Sequence, residues 1–167
     1  MAPPYFFSEA EWARAADVFP IELTDMKQAY RVLRGIDRIA AAEVGARDLR
    51  HALEADLRGK LLRLRADYAL YSGRPDLLAA VVASSAGPLR VLLRATLVLA
   101  GQAPPRDDAG LAAAVGAAIR APVEPLVTAL AHRRDPAWSC PASLFESYLG
   151  VVEQATRFVD TFIPGAT

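Results

Sequence analysis

A run of leucines at helical spacing constrains the fold of this chain more than any other feature. From Arg47 to Tyr71 apolar residues recur every three or four positions without interruption, so they form one stripe along a helix. Ser72-Gly73-Arg74-Pro75 then ends the pattern. The spacing predicts a long helix whose buried face carries Leu49, Leu53, Leu57, Leu61, Leu64, Tyr68 and Tyr71.

Two further long helices are predicted, over Asp76–Ala100 and Pro141–Phe162. The first is apolar almost all round apart from Arg90 and Arg94, which is typical of the central helix of a bundle. Gly87-Pro88 is expected to break or kink it. Its uncharged part is too short to cross a bilayer, so we predict a buried helix and no membrane partner. Weaker helices are expected between these two.

The first 45 residues are predicted to form an N-terminal extension with its own short elements. Ser8 and Glu11 have the spacing of a capping box, which starts a short helix. Val18–Leu23 is a short apolar stretch that indicates a β-strand, and Asp25 can cap a helix that ends at Gly35. The predicted fold class is therefore all-α: an antiparallel helical bundle over residues 46–167, with a short N-terminal helix and one isolated strand segment.

The predicted strand has no partner strand in the sequence. Its backbone N–H and C=O groups need one, and even a two-stranded hairpin is marginal in water. The missing strands would come from another polypeptide, a second copy or an upstream domain. Pro20 supplies no N–H for pairing, so we expect the segment in the isolated chain to collapse onto the bundle rather than to associate.

Composition and charge exclude several functional classes. The chain is 53% hydrophobic and 23% charged, which is ordinary for a globular domain, and its formal net charge of zero argues against a nucleic acid partner. Cys140 is alone and the two histidines have no second ligand at helical spacing, so neither a disulfide nor a metal site is predicted. No signal peptide is evident at the N-terminus, and we expect a cytoplasmic protein. No two glycines lie within five residues of each other, which excludes the common phosphate-binding loops.

Glu22 is the best single candidate for a catalytic residue. On a strand, its carboxylate would project to the face opposite Ile21 and Leu23. One carboxylate cannot hold Mg²⁺ tightly, so Glu22 could serve only as one member of a shared site. The alternative is a solvent-facing residue on an edge strand.

The sequence also offers a basic cluster, Arg58-Gly59-Lys60 with Arg63 and Arg65 one or two turns on, and Arg58, Lys60 and Arg65 are the candidate substrate-binding residues. A glycine inside a helix costs about 1 kcal/mol relative to alanine, which suggests close approach of a ligand or another backbone. The alternative is an ordinary solvated face, on which Glu54 pairs with Arg58 and Asp56 with Lys60.

Arg90 and Arg94 lie one turn apart on the helix that is predicted to be buried. A buried arginine needs an anionic partner, and we expect structural salt bridges to carboxylates of the terminal helix. The candidates are Glu146, Glu153 and Asp160.

Three segments, Asp17–Met26, Tyr30–Gly35 and Leu57–Arg65, together resemble bacterial nucleotidyltransferase-like proteins, in which a catalytic domain of the DNA polymerase beta type precedes a helical bundle. The diagnostic Gly-Ser turn and Asp-x-Asp strand of that family are missing here. The resemblance implies that Val18–Leu23 is the last strand of the catalytic sheet, with Glu22 in the third-carboxylate position.

By this resemblance the chain is the helical, substrate-side part of a nucleotidyltransferase. It would bind a nucleotide or acceptor near Glu22, Arg58, Lys60 and Arg65, with a catalytic domain as partner. No cofactor is expected in the isolated chain, and Mg²⁺ only in a site completed by that domain. We expect the isolated chain neither to transfer nucleotides nor to bind Mg²⁺ tightly. The alternative function is a non-catalytic interaction module that forms homo- or hetero-oligomers.

Overall fold

The computed structural model describes residues 6–12 and 14–163. Within these ranges every regular element is a helix. In chain order the helices are α1 (Glu9–Trp12), α2 (Ala15–Val18), α3 (Pro20–Met26), α4 (Arg38–Ala41), α5 (Ala46–Tyr71), α6 (Pro75–Leu99), α7 (Asp108–Ile119), α8 (Glu124–His132) and α9 (Ala142–Thr161).

The three long helices predicted from the sequence are confirmed as α5, α6 and α9, each within about a residue of its predicted bounds. Helix α6 lies at the centre and contacts α3, α5, α7, α8 and α9. The leucine stripe of α5 faces it, with all five leucines buried and both tyrosines half-buried. The apolar face of α9 is buried through Phe145, Tyr148, Val152, Ala155 and Val159, and Phe162 after the helix is half-buried.

The long helices do not all run antiparallel to one another. Helix α5 is antiparallel to α9: Arg50 near the start of α5 donates to the carbonyl of Asp160 near the end of α9, and Tyr68 near the end of α5 bonds Glu146 near the start of α9. Helix α6 runs in the same direction as α9: the Cys140 N–H donates to the Pro75 carbonyl at 3.0 Å where both helices begin. The crossover through α7 and α8 allows this parallel pair.

The strand predicted over Val18–Leu23 is wrong. Val18 is the last residue of α2 and Pro20–Leu23 belong to α3, which has proline in its first turn, where the missing N–H costs no hydrogen bond. Ile21, Leu23 and Thr24 are buried, with Ile21 in the bundle core. Six residues fit both the two-residue period of a strand and the 3.6-residue period of a helix. Packing against α5 and α6 selects the helix.

The helix predicted from Asp25 to Gly35 is also wrong, because α3 ends at Met26 and the chain leaves the bundle after it. Asp25 does not cap a helix; its carboxylate lies 3.4 Å from the Nε of Arg94. The capping box, by contrast, is confirmed: Ser8 N–H donates to Glu11 at 2.7 Å, and Glu11 N–H donates to the Ser8 hydroxyl at 3.3 Å.

Helix α6 continues without a break through Gly87 and Pro88, contrary to the predicted interruption. Pro88 has no N–H, so the carbonyl of Ser84 lacks its usual hydrogen-bond donor. Both residues are exposed, and water can therefore bond to that carbonyl. By length and composition α6 is the one helix of the described residues that could cross a membrane. In this fold its Leu89, Leu93 and Leu97 are fully buried against other helices, as expected of a core helix.

Candidate functional site

A groove of about 410 Å³ opens between α3, α5 and α6. Its volume lies within the range of small-molecule sites. Its apolar residues Ile21 and Leu92 are buried, and its charged residues are exposed or half-buried. The lining residues are Ile21, Glu22, Ala55, Asp56, Gly59, Lys60, Arg63, Pro88, Val91 and Leu92.

Four charged residues line this groove: Glu22 from α3, and Asp56, Lys60 and Arg63 from α5. The last three share one face of α5 because they are four and three residues apart. Within residues 6–12 and 14–163, none of the four makes an ion pair within 4.0 Å. Their charges are therefore available to a ligand.

Lys60 is a half-buried cation in this groove. Partial burial lowers the pKa of Lys60, the positive charge of Arg63 lowers it further, and Asp56 opposes both effects. An anion bound between the two cations would offset the burial and the repulsion together. The α5 side of the groove is consequently suited to a phosphate or carboxylate.

Gly59 forms part of the groove wall at the middle of α5. A Cβ atom built at this position meets no atom within 4 Å. The sequence suggested that something approaches the backbone here, and nothing in the described chain does so. The position opens into the groove instead.

The structure divides the predicted substrate-binding residues between two sides of α5. Lys60 faces the groove, but Arg58 and Arg65 face α9. Arg58 lies 2.9 Å from Asp160 and 3.2 Å from Glu54, and Arg65 lies 3.4 Å from Glu153. These two arginines therefore join helices through ion pairs.

The sequence placed Arg63 in the basic cluster together with Arg58 and Arg65, but it did not single out Asp56 and Arg63 as the residues that share a groove with Lys60. A signal was present, because their spacing from Lys60 places all three on one flank of the leucine stripe. Arg58 and Arg65 lie seven residues apart on the other flank. The predicted pairing of Glu54 with Arg58 is present at 3.2 Å, whereas Asp56 and Lys60 are not paired within 4.0 Å.

Glu22 is exposed on the solvent side of α3 and reaches the groove rim. Because this segment is helical, the argument that placed Glu22 at the third-carboxylate position of a sheet loses its structural basis. The carboxylate still lines the same groove as Lys60, 38 positions along the chain. Within the described part of the chain, no cluster of three His, Cys, Asp or Glu side chains has the arrangement to hold a metal ion.

Arg94 positions α3 beside the groove. Its side chain is only 8% exposed, its Nε lies 3.4 Å from Asp25, and its Nη1 donates to the Pro105 carbonyl at 3.2 Å. Asp25 is one turn beyond Glu22 on α3, so this contact ties the Glu22 helix to the centre of the bundle. Arg94 has a structural role, as predicted, but its partner is on α3 rather than on α9.

Arg90 likewise pairs outside the terminal helix. Its Nε lies 2.7 Å from Asp108, and Arg133 approaches the other oxygen of the same carboxylate at 2.7 Å. Burial alone would raise the pKa of Asp108, but the hydrogen bond from Arg90 and the charges of Arg90 and Arg133 lower it. This cluster holds the start of α7 and the end of α8 against α6, away from the groove.

Comparisons with protein-family models, with curated proteins and with solved structures find no match to this chain. The assignment of a function accordingly depends on the groove and on the exposed surface of the molecule.

Proposed function

We propose that this chain is a helical accessory domain that binds the anionic part of a substrate in the groove between α3, α5 and α6. The resemblance of three segments to nucleotidyltransferase-like proteins supports a nucleotide or a phosphorylated acceptor as that substrate. A catalytic domain on another polypeptide, or on another part of a longer chain, would supply the chemistry. The observation that carries the proposal is the convergence of Lys60, Arg63 and Glu22 on one groove.

The proposal assigns different tasks to the two sides of the groove. Lys60 and Arg63 would hold phosphate oxygens through charge-assisted hydrogen bonds, which are the strong ones. Glu22 and Asp56 stand opposite or beside them and would repel a bare phosphate. Mg²⁺ is usually bound through one or two carboxylates together with substrate phosphates, so we expect it only where a catalytic domain completes the site.

Titration with pyrophosphate and with ATP, followed by calorimetry and by amide chemical shifts, tests this proposal. We expect shifts at the groove and a loss of affinity of about tenfold or more in Lys60→Gln/Arg63→Gln, because each substitution removes a charge-assisted bond. The matched control is Arg58→Gln/Arg65→Gln, which removes the same charge from the other flank of α5 and should bind as the wild type does.

A steric variant provides an independent test. Gly59→Leu places a side chain in open space on the groove wall, and leucine is a better helix former than glycine, so the fold should be kept. We expect it to lose ATP binding while its circular dichroism stays unchanged. Binding of ATP that is equal in the wild type, Lys60→Gln/Arg63→Gln and Gly59→Leu would contradict the proposal.

The second candidate function is a non-catalytic association module. The observation that favours it is an exposed apolar segment after α3, where Leu33 is 82% and Ile36 78% exposed. Sedimentation equilibrium discriminates the two functions: concentration-dependent self-association together with no anion binding in the groove would favour this candidate over the first.

A further inference from the structure

The segment from Lys27 to Ile36 combines exposed apolar side chains with positive charge. Tyr30, Val32, Leu33 and Ile36 are all at least 40% exposed. The same ten residues contain Lys27, Arg31 and Arg34 and no acidic residue, in a chain whose formal net charge is zero. Among the described residues these three cations have no ion pair within 4.0 Å.

Hydrogen bonds through Asp37 tie the segment to the start of α4. The Tyr30 hydroxyl donates to Asp37 at 2.8 Å, and the other oxygen of Asp37 accepts from Ala40 N–H at 2.9 Å and so caps α4. Gly35 has a φ of 90°, a conformation that favours glycine, and turns the chain between Arg34 and Ile36. A loop that is already shaped loses less conformational entropy when it binds a partner.

We propose that residues 27–36 are a docking surface for a protein partner that presents apolar side chains flanked by Asp or Glu. Leu33 and Ile36 would enter the partner's apolar patch, and Lys27, Arg31 and Arg34 would pair with its acidic rim. The inference rests on the proposed accessory function for the expectation of a second polypeptide, and it adds that partner's chemistry.

Charge argues against the other occupants of this surface. In a symmetric dimer the same patch would face itself, which would bring three cations of one copy against three of the other. An anionic membrane would attract the arginines, but Asp17 and Glu43 line the shallow groove beside Ile36 and would be pressed against the lipid. A protein partner carries discrete acidic side chains, which can pair with Lys27, Arg31 and Arg34 without covering Asp17 and Glu43, whereas a membrane presents negative charge over the whole surface.

Selection of a phage-displayed random-peptide library on the full chain tests the proposal. We expect enriched peptides to combine Leu, Ile or Phe with Asp or Glu, and their binding to weaken at high salt. We expect each of two double variants, Leu33→Ser/Ile36→Ser and Arg31→Glu/Arg34→Glu, to lower the affinity for a synthesised peptide by about tenfold or more, as for central interface residues.

Control variants distinguish peptide binding at residues 27–36 from non-specific hydrophobic binding and from binding in the groove. Leu62→Ser/Leu70→Ser removes two exposed leucines of α5, at 59% and 72% exposure, and should leave peptide binding unchanged. Lys60→Gln/Arg63→Gln should also leave it unchanged, so a failure of the groove proposal would not mimic a failure of this one.

Several results would overturn the docking surface: enriched peptides without acidic residues, no enrichment, or peptides that bind Leu33→Ser/Ile36→Ser as tightly as the wild type. Binding of the chain to phosphatidylserine vesicles that is lost in Arg31→Glu/Arg34→Glu would assign the surface to lipid instead. Self-association that is lost in Leu33→Ser/Ile36→Ser would assign it to a second copy.

Discussion

Replacing Gly59 by alanine should stabilise the protein. The residue lies at the middle of a 26-residue helix, is exposed, and has open space where the Cβ would stand. Glycine inside a helix costs about 0.8–1.0 kcal/mol relative to alanine, because it loses more backbone freedom on folding. With no contact to offset this gain, Gly59→Ala should raise the free energy of unfolding by about 1 kcal/mol.

Urea unfolding at equilibrium, followed by helical circular dichroism, measures this change. For a chain of this size 1 kcal/mol corresponds to a rise of about 2–4 °C in the melting temperature. Gly150→Ala is the matched control, since Gly150 lies inside α9 and its Cβ position also meets nothing within 4 Å. The two substitutions should stabilise by similar amounts in the absence of ligand.

A loss of stability in Gly59→Ala beside a gain in Gly150→Ala would refute this reasoning. It would mean that another group approaches the α5 backbone at Gly59 in the folded chain, and that the groove wall is not open there. Equal gains would show that neither glycine is needed for packing.

Two further predictions concern positions away from the groove. Gly116→Ala should destabilise the fold by about 1–3 kcal/mol, because its Cβ would lie 2.0 Å from a methyl of Val123, and urea unfolding beside Gly59→Ala would show the opposite sign. Asp108→Asn should cost about 1–3 kcal/mol at neutral pH, because it weakens the contacts of Arg90 and Arg133. Since the folded-state pKa of Asp108 is lowered, its contribution is fully present above the ordinary value of 3.8 and is lost as the pH falls through the lowered pKa. Thermal melts should therefore show the two proteins converging in acid; a difference that grows there would contradict the assignment.

The long helices could be predicted from the sequence because each carries a sustained apolar face. In α5 the five leucines repeat over about four turns, so the period is unambiguous. The segment from Val18 to Leu23 offered only four apolar side chains around one proline, which fit a strand and a helix almost equally. Its contacts with α5 and α6 make it a helix, and such tertiary contacts cannot be predicted from a pattern of six residues.

The candidate site was partly predictable for the same reason. The flank of α5 to which Lys60 belongs follows from helical geometry once the leucine stripe is known, and Arg63 and Asp56 follow with it. The arrival of Glu22 at this flank does not follow, because it depends on α3 packing across α5 and α6. The pairing of Arg94 with Asp25, which helps to fix α3, joins residues too far apart in sequence for periodicity to connect them.

Hydrogen exchange at Leu23 tests the helical state of this segment directly. The Leu23 N–H donates to the Phe19 carbonyl at 3.0 Å, and the residue is 1% exposed, so its backbone needs no strand from another molecule. We therefore expect slow exchange at Leu23 at every protein concentration. Protection of the Leu23 N–H that appears only at high protein concentration would instead support pairing between strands of different molecules. If protection at Leu23 is independent of concentration, association with a partner does not use backbone pairing at residues 18–23. Substitutions of side chains in residues 27–36 should then control that association.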